Sequence, residues 1–177
     1  MTLPAYALPF GLRDVKVAPM TGDATYGALV DLPASRTLAF AETEESEELR
    51  GDDTVIARRG LGKTVTWSLE AGGISLDALK VMMGGTLTLT GTPPNEKDTF
   101  AMLGTDARPY FKIEGQIIND NGGDIHCLIY RAKLDGDVGG EFTEGGFYLT
   151  AADGIAIPRV DNKLFDLIHN ETAAVIT

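Results

Sequence analysis

The chain has little cysteine and little positive charge. Cys127 is the single cysteine in 177 residues, so an internal disulfide framework is excluded. Because its neighbours in DIHCLIYRAK are mostly apolar, the sequence predicts that Cys127 is a buried small side chain. Lysine and arginine number 15 against 26 aspartates and glutamates, which gives a net charge of -11. That charge disfavours binding to nucleic acid or to an anionic membrane through a general basic surface.

Long apolar runs and a targeting signal are missing as well. No stretch approaches the roughly 20 apolar residues that a membrane-spanning helix needs. The start, MTLPAYALPFGLRDV, lacks the basic residues followed by an apolar run that mark a secretory signal. We therefore expect a chain that is made in a cytosol-like compartment and does not insert into membranes. An apolar content of 44% and a charged content of 23% are typical of a globular protein, most simply of one domain.

One stretch matches a nucleotide-binding motif loosely. ARRGLGKT, residues 57–64, places Ala five residues before Gly-Lys-Thr, as in some phosphate loops. A phosphate loop needs a helix that begins at Gly-Lys-Thr, so that the helix N-terminus faces the phosphates. The residues after Lys63, TVTWSLEAGG, instead alternate with the period of a strand. We therefore predict that Gly60 and Gly62 form a bend or bulge in a long strand, and that the match is accidental.

Other catalytic and metal-binding patterns are absent. His126 and His169, without a second cysteine, cannot complete a Cys/His zinc site, and His126 is expected to be a partly buried sheet residue. No serine lies in a nucleophile elbow. DGDVGGE, residues 135–141, is similar to the start of a calcium loop, but Gly146 replaces the glutamate of the twelfth position. The sequence therefore predicts no catalytic residue, no metal site and no cofactor, and a protein that is not an enzyme.

Alternating apolar residues predict many strands. Residues 1–35 are loosely patterned and contain several prolines, which predicts an extended N-terminal arm with at most short strands. Residues 36–177 are predicted to form a single domain. Leu38 and Phe40 in TLAFAET alternate with small or polar residues, and so do Val65, Trp67 and Leu69 in TVTWSLEAGG. These two stretches predict a long hairpin, whose tip would be the acidic segment EESEELRGDD, residues 44–53.

A single stretch has helical period. In SLDALKVMMGG, Leu76, Leu79, Met82 and Met83 recur at helical spacing, with Ser75 placed to cap the start and glycines to end it. Further strands are predicted in TLTLTG, YFKIEGQII, IHCLIYRAKL, GFYLTA and GIAIPRV, with a hairpin turn at NDNGGD. The segment DNKLFDLIHN fits either a strand or one helical turn. The predicted fold class is mainly β with one flanking α-helix (α+β), built as a β-sandwich or barrel.

The acidic segment has three candidate roles. Its carboxylates could form a solvated, mobile turn, or pair with basic residues of a neighbouring subunit. A catalytic carboxylate pair is disfavoured, because crowded acids on one loop repel each other and do not face across a cleft. The first two roles stay open. The candidate residues for contacts between subunits or rings are Glu44, Glu45, Glu47, Glu48, Arg50, Asp52, Asp53, Arg58 and Arg59.

The stretch EELRGDDTVIARRGLGKTVTWSLEAGGISLDALKVMMGG, residues 47–85, resembles the major tail proteins, or tail tube proteins, of long non-contractile-tailed bacteriophages. The similarity lies in ordered features: a strand, an acidic hairpin around ELRGDD, a long strand, the helix of EAGGISLDAL, and then TLTLTG. It extends loosely over residues 12–170. The resemblance implies a β-sandwich with a flanking helix, six copies of which close their inner strands into one barrel. Such rings stack into a tube that conducts double-stranded DNA.

The resemblance also implies partners and a location. The partners would be further copies of the chain, a tape-measure protein, the tail terminator and distal tail proteins, with double-stranded DNA as passing cargo. The location would be the virion tail, after assembly in the host cytoplasm. Many proteins of this family carry an added C-terminal immunoglobulin-like domain, for which we expect no room in this chain. Tube proteins of type VI secretion systems share this architecture and are one alternative. A β-sandwich binding or capsid-decoration module is another, for which we would expect exposed aromatic side chains; most aromatics here are expected to face the core.

Overall fold

A computed structural model describes residues 3–176, and its architecture is mainly β with one short helix. Residues 1, 2 and 177, the outer ends of the predicted arm and domain, lie outside the described residues. The strands are β1 (Pro9–Gly22), β2 (Thr25–Tyr26), β3 (Val30–Asp31), β4 (Ser35–Gly51), β5 (Thr54–Gly72), β6 (Thr86–Thr90), β7 (Lys97–Ala101), β8 (Phe111–Asn119), β9 (Asp124–Gly139), β10 (Leu149–Ala156) and β11 (Phe165–Asn170). Helix α1 (Leu76–Met83) lies between β5 and β6.

Nine of these strands form one antiparallel sheet. The hydrogen-bonded order is β2-β1-β8-β9-β10-β5-β4, with β3 added beside β1 and β11 beside β9. Strands β6 and β7 pair only with each other, as a separate two-stranded ribbon. Sequential hairpins account for β4–β5 and β8–β9, and both were predicted from alternation and turn residues.

Strand β9 joins the two halves of the sheet. Its first half pairs with β8 and β11, whereas its second half pairs with β10. The register with β8 shifts between the pairs Ile113–Ile129 and Phe111–Ala132, and Arg131 there has a φ of 45°, in the left-handed region. A bulge of this kind bends a strand and increases its twist, so the sheet changes direction at this point.

The bent sheet encloses one hydrophobic core between its halves. Trp67 of β5 packs edge-on against Phe111 of β8, with ring centroids 5.6 Å apart. Gly115 of β8 lies so close to Leu38 of β4 that an added Cβ would come within 2.4 Å of the leucine Cδ2. These contacts join strands that are far apart in the hydrogen-bonded order, so the halves face each other across the core.

Helix α1 covers this core and forms as the sequence predicted. The Ser75 hydroxyl oxygen accepts a hydrogen bond from the Ala78 N–H, as an N-cap residue does. Gly84 ends the helix with a φ of 86°, and its N–H is donated to the Lys80 carbonyl. Ala78 and Met82 are fully buried against the core.

The N-terminal segment differs from its prediction. Residues 9–22 were expected in an extended arm with at most short strands, but they form the 14-residue strand β1, which pairs with β8 inside the main sheet. Val15 and Val17 are buried in the core. The prolines did not prevent this, because Pro9 is the first residue of the strand and Pro19 lies near its end, where a missing N–H disturbs the ladder least.

One smaller correction and one open alternative concern the last strands. GFYLTA and GIAIPRV were expected to supply separate strands, but Leu149–Ala156 form the single strand β10, because every residue of this segment keeps its antiparallel partner on β5. The segment DNKLFDLIHN contributes a strand rather than a helical turn: β11 pairs residue by residue with the first half of β9.

Candidate functional site

The longest feature of the molecule is the hairpin formed by β4, with 17 residues, and β5, with 19. Cross-strand pairing continues to Gly51 and Thr54, and only Asp52 and Asp53 form the turn. Both have positive φ, 50° and 62°, as a two-residue hairpin turn of type I′ requires. The acidic segment is therefore mostly strand, and the expectation that it forms a loop-like tip holds only for its last two acids.

The outer half of this hairpin is not covered by the rest of the chain. Val65 and Trp67 are buried in the core, whereas every residue from 54 to 63 is exposed. Apolar side chains are among the exposed ones, and Leu49, Ile56 and Leu61 are each more than 60% exposed. A two-stranded ribbon is marginally stable alone in water. The exposed apolar side chains make the outer half of the hairpin, residues 42–65, the strongest candidate for a contact surface.

The predicted contact residues are brought together by the hairpin itself. Glu47 lies directly opposite Arg59, and Glu48 opposite Arg58, so the two arginines that were expected to pair with a neighbouring subunit face acids of their own chain. The Arg58 Nε donates a hydrogen bond to Ser46 Oγ at 2.8 Å.

Ion pairs at the hairpin leave several carboxylates without a cation. Arg50 Nη2 lies 3.0 Å from Glu48 Oε2, and Lys63 Nζ lies 3.0 Å from Glu42 Oε1, which raises the pKa of the exposed Lys63. Within the part of the chain that the structure describes, the hairpin acids without an ion pair at 4.0 Å or less are Glu44, Glu45, Glu47, Asp52 and Asp53.

The glycines of ARRGLGKT occupy a bulged strand. Ser46 pairs with Gly60 and Glu45 with Gly62, which leaves Leu61 as the extra residue of a bulge. A Cβ on Gly60 would lie 2.1 Å from a Glu44 carboxylate oxygen, so a larger residue would displace that side chain. No helix begins at this stretch, which confirms the predicted bulge and removes the geometry that a phosphate loop needs.

Strand β4 is also an open edge of the sheet. It pairs with β5 along its length, and among the described residues no strand pairs with its other side. Long open edges present unpaired N–H and C=O groups to any strand that approaches, including one from another chain.

The solvent-facing side of β4, β5 and β10 is lined by short side chains. Thr43 and Thr64 share a hydrogen bond of 3.1 Å between their hydroxyls, and Thr66 donates to the Ala41 carbonyl. A shallow groove of about 410 Å³ lies on this side and has Asp135 and Asp153 among its lining residues. The other short side chains of this face are Ala39, Ser68 and Ala151. By the same cross-strand registers this face also carries Glu70, Ile155 and Lys133. Short side chains therefore dominate the face, and aspartates line its groove.

An Asp–His pair on the opposite half of the sheet has a structural role. Asp124 is fully buried, and its Oδ2 lies 3.0 Å from His126 Nε2. The same oxygen accepts the Ala174 N–H, and the His126 ring also contacts the Ala174 carbonyl, so the pair fastens residues 171–176 to the sheet. The neighbouring Cys127 is in the core, and burial raises the pKa of its thiol to about 12, so it is a poor nucleophile at neutral pH. The prediction of a buried Cys127 is confirmed, and His126, predicted as a partly buried sheet residue, lies on β9 and is buried.

Sequence reasoning missed several exposed aromatic side chains. Most aromatics were expected to face the core, but Phe142 is 83% exposed and Phe147 is 95% exposed in the loop between β9 and β10. Tyr6 and Phe10 are exposed as well. The loop sequence GGEFTEGGFYL carries a signal that could have found the first two, because glycine and acids rather than alternating residues flank them.

Some classes of site are not found within residues 3–176. No three or more histidine, cysteine or acidic side chains there are grouped to hold a metal ion. No helix in that range is long and apolar enough to cross a lipid bilayer. Comparisons of the chain with protein-family models and with curated proteins find no match.

Proposed function

We propose that the protein is a structural subunit that assembles into stacked hexameric rings and forms the tail tube of a long non-contractile-tailed bacteriophage. The observation that carries this proposal is the hairpin of β4 and β5, which combines an open 17-residue edge with an outer half exposed on both sides. In a monomer the N–H and C=O groups of this edge have no strand to pair with. In an assembly, a strand of a neighbouring copy can pair with them, and the open edge disappears. The protein then has no catalytic activity, and its partners are mainly copies of itself.

The solvent-facing side of β4, β5 and β10 is suited to line the channel of such a tube. Short hydroxyl and methyl side chains dominate it, and its acids Glu70, Asp135 and Asp153 outnumber the one lysine in the same rows, Lys133, so the net effect on phosphates is repulsion. At physiological salt this repulsion acts over about 8 Å, which is enough to keep a passing duplex from binding the wall. The tube would be built in the host cytoplasm around a tape-measure protein, between a tail terminator and distal tail proteins, and would act in the virion tail.

Negative-stain electron microscopy of the concentrated protein tests this proposal. We expect six-fold rings or hollow tubes. The matched variant replaces residues 44–63 by Asn-Gly, because Thr43 and Thr64 are direct cross-strand partners that a two-residue turn can join. This variant should keep the circular dichroism spectrum of a folded β protein and form no tubes. Normal tubes from the shortened chain would contradict the role given to the hairpin.

One observation favours a second candidate, a β-sandwich binding or decoration module. Phe142 and Tyr148 lie 4.8 Å apart by ring centroids, and the neighbouring Phe147 is almost fully exposed. Aromatic side chains of this kind often stack on ligands or partner proteins. A chain that stays monomeric at every concentration, and loses binding to capsids or glycans when Phe142 and Phe147 become alanine, would favour this module over the tube. A type VI secretion tube protein would form similar rings, but in a bacterium with that system.

A further inference from the structure

Two cations without a carboxylate partner lie together where β9 bends, and a third contacts the same strand further along. The ring of Tyr110 is flanked by the Arg131 guanidinium and the Lys133 ammonium, whose Cζ and Nζ lie 5.1 Å and 5.2 Å from the ring centroid. Arg108 reaches the same strand, and its Nη1 donates to the Gly136 carbonyl at 2.8 Å. These four residues, Arg108, Tyr110, Arg131 and Lys133, are called the basic cluster below.

The charges of the basic cluster are uncompensated within residues 3–176. Other cations close by have partners, as Lys112 has Glu114 at 2.7 Å and Lys163 has Asp166 at 3.0 Å. None of the three cluster cations has a carboxylate within 4.0 Å in the described chain. Asp135 and Asp153 lie near the cluster on the same side of the sheet, but neither forms an ion pair with one of its cations.

The cluster keeps part of its hydrogen-bonding capacity free, although the Arg131 Nε is buried and without a partner. A guanidinium has five N–H donors. Arg108 donates to Gly136, and Arg131 Nη1 donates to the Pro158 carbonyl, both of them neutral acceptors. Half-buried side chains that are held by neutral contacts lose little further freedom when a carboxylate arrives, which lowers the cost of binding. Arginine and tyrosine are also the residue types most often enriched where protein interfaces bind tightly.

The complementary surface on the molecule is the hairpin. It carries carboxylates without a cation at Glu44, Glu45, Glu47 and the turn, and these project into solvent. The hairpin of the same copy cannot present its end to the cluster. Ile155 of β10 pairs with both Lys133 and Thr66. The hairpin continues for ten residue pairs beyond the pair of Thr66 and Ala41, which is about 34 Å at about 3.4 Å per residue.

We propose that the basic cluster receives the acidic hairpin of a second copy of this chain. The inference rests on the proposed self-assembly and adds to it the identity of the receiving surface. Carboxylates near the end of the hairpin bind the free N–H donors of Arg108 and Arg131 and the ammonium of Lys133. The ring of Tyr110 provides apolar area beside them for Leu49 or Ile56 of the incoming hairpin.

Charge reversal on each side tests the pairing. The hairpin variant E45K/E47K and the cluster variant R108E/K133E should each need about tenfold more protein to assemble, as measured by sedimentation, because attraction becomes repulsion. An equal mixture of the two variants should recover part of the loss, since each supplies the surface that the other lacks. The control is Lys97→Glu on the separate ribbon of β6 and β7, which should assemble as the unchanged chain does.

Cross-linking of the unchanged chain keeps the test independent of whether these variants fold. A carbodiimide joins Lys133 to a carboxylate that touches it, and a mixture of ¹⁴N- and ¹⁵N-labelled protein identifies links between copies by mass spectrometry. We expect links from Lys133 to Glu45, Glu47, Asp52 or Asp53 of the other isotope. Lys133→Arg keeps the charge, should assemble normally and should lose the link.

The outcomes separate this inference from the proposed function. Tubes that form with no hairpin-to-cluster link, and that tolerate R108E/K133E, would overturn the inference and leave the tube proposal standing. Linked copies without rings or tubes would support the contact and contradict the tube. Binding of a short DNA duplex that R108E/K133E abolishes, without any link between copies, would assign the cluster to nucleic acid and overturn the inference.

Discussion

Replacing Asp124 by asparagine should remove a buried charge that the fold has surrounded with hydrogen-bond donors. The Oδ2 atom accepts from Gln116 Nε2, His126 Nε2 and the Ala174 N–H, and Oδ1 accepts from Asn170 Nδ2. These donors come from β8, β9, β11 and the segment after β11, so one carboxylate joins four parts of the chain. An asparagine amide turns an NH₂ group toward at least one of them.

The magnitude follows from the pKa of this carboxyl group. Burial alone would raise it, but the hydrogen bonds from Asn170, Gln116, Ala174 and His126 together outweigh burial and hold the pKa at about 2, against an ordinary 3.8. At about 1.4 kcal/mol per pH unit, this difference corresponds to about 2 kcal/mol of stability. Donors left without an acceptor add to the cost, at about 1–3 kcal/mol each. We expect Asp124→Asn to lose roughly 3–5 kcal/mol at pH 7.

The sign of the pH dependence is fixed by the direction of the shift. A carboxyl group whose pKa is lower in the folded state stabilises the fold fully above its ordinary pKa of 3.8. This contribution is lost as the pH falls through about 2. The difference in stability between the unchanged chain and Asp124→Asn should therefore be largest at pH 5–7 and shrink toward pH 2.

Urea unfolding followed by fluorescence measures this difference, since Trp67 is the single tryptophan and is buried in the core. Unfolding curves at pH 7, 5, 3 and 2 should be compared for the unchanged chain, Asp124→Asn and the control Asp120→Asn, whose side chain is exposed just beyond β8. The control should stay within about 0.5 kcal/mol of the unchanged chain. A deficit below that value for Asp124→Asn, or one that does not change with pH, would show that the Asp124 charge does not stabilise the fold.

Three further predictions concern the helix, the sheet contact and the thiol. Ser75→Ala removes the acceptor of the Ala78 N–H and should cost about 1 kcal/mol in urea unfolding. Gly115→Ala places a methyl group against Leu38 between the sheet halves and should lower the free energy of unfolding by about 1–3 kcal/mol. The same change made in a Leu38→Ala chain should cost much less, because the side chain that it meets is gone. Cys127 should resist a thiol reagent at pH 8 and react at once in urea, since burial raises its pKa to about 12; fast reaction of the folded chain would contradict its burial.

Local patterns in the sequence predicted the elements that depend on neighbouring residues. The alternation of Val65, Trp67 and Leu69 predicted which side of β5 is buried, and the spacing around Ser75 and Gly84 predicted both ends of α1. Gly60 and Gly62 predicted a bulge, which the structure has beside Leu61. Each of these features is set within a few residues of chain, by side-chain period, capping or backbone freedom.

Features that depend on distant residues could not be predicted in this way. The prolines of residues 1–35 suggested an arm. Val15 and Val17 are nevertheless buried, because β1 pairs with β8, which lies about 100 residues away in the chain. The acids of residues 44–53 suggested a loop, because nothing in that segment shows that β5 continues to pair beside it as far as Thr54.

Patterns of neighbouring residues are enough to specify a mainly β chain with one capped helix and an acidic hairpin. Only the folded chain leaves β4 as an open edge, surrounds Asp124 with donors, and brings Arg131 and Lys133 to the Tyr110 ring with Arg108 on the same strand. The physical reason is that strand period and helix caps are encoded by residues close together in the chain. Edges, buried charges and surface clusters arise only when the sheet order brings distant segments side by side.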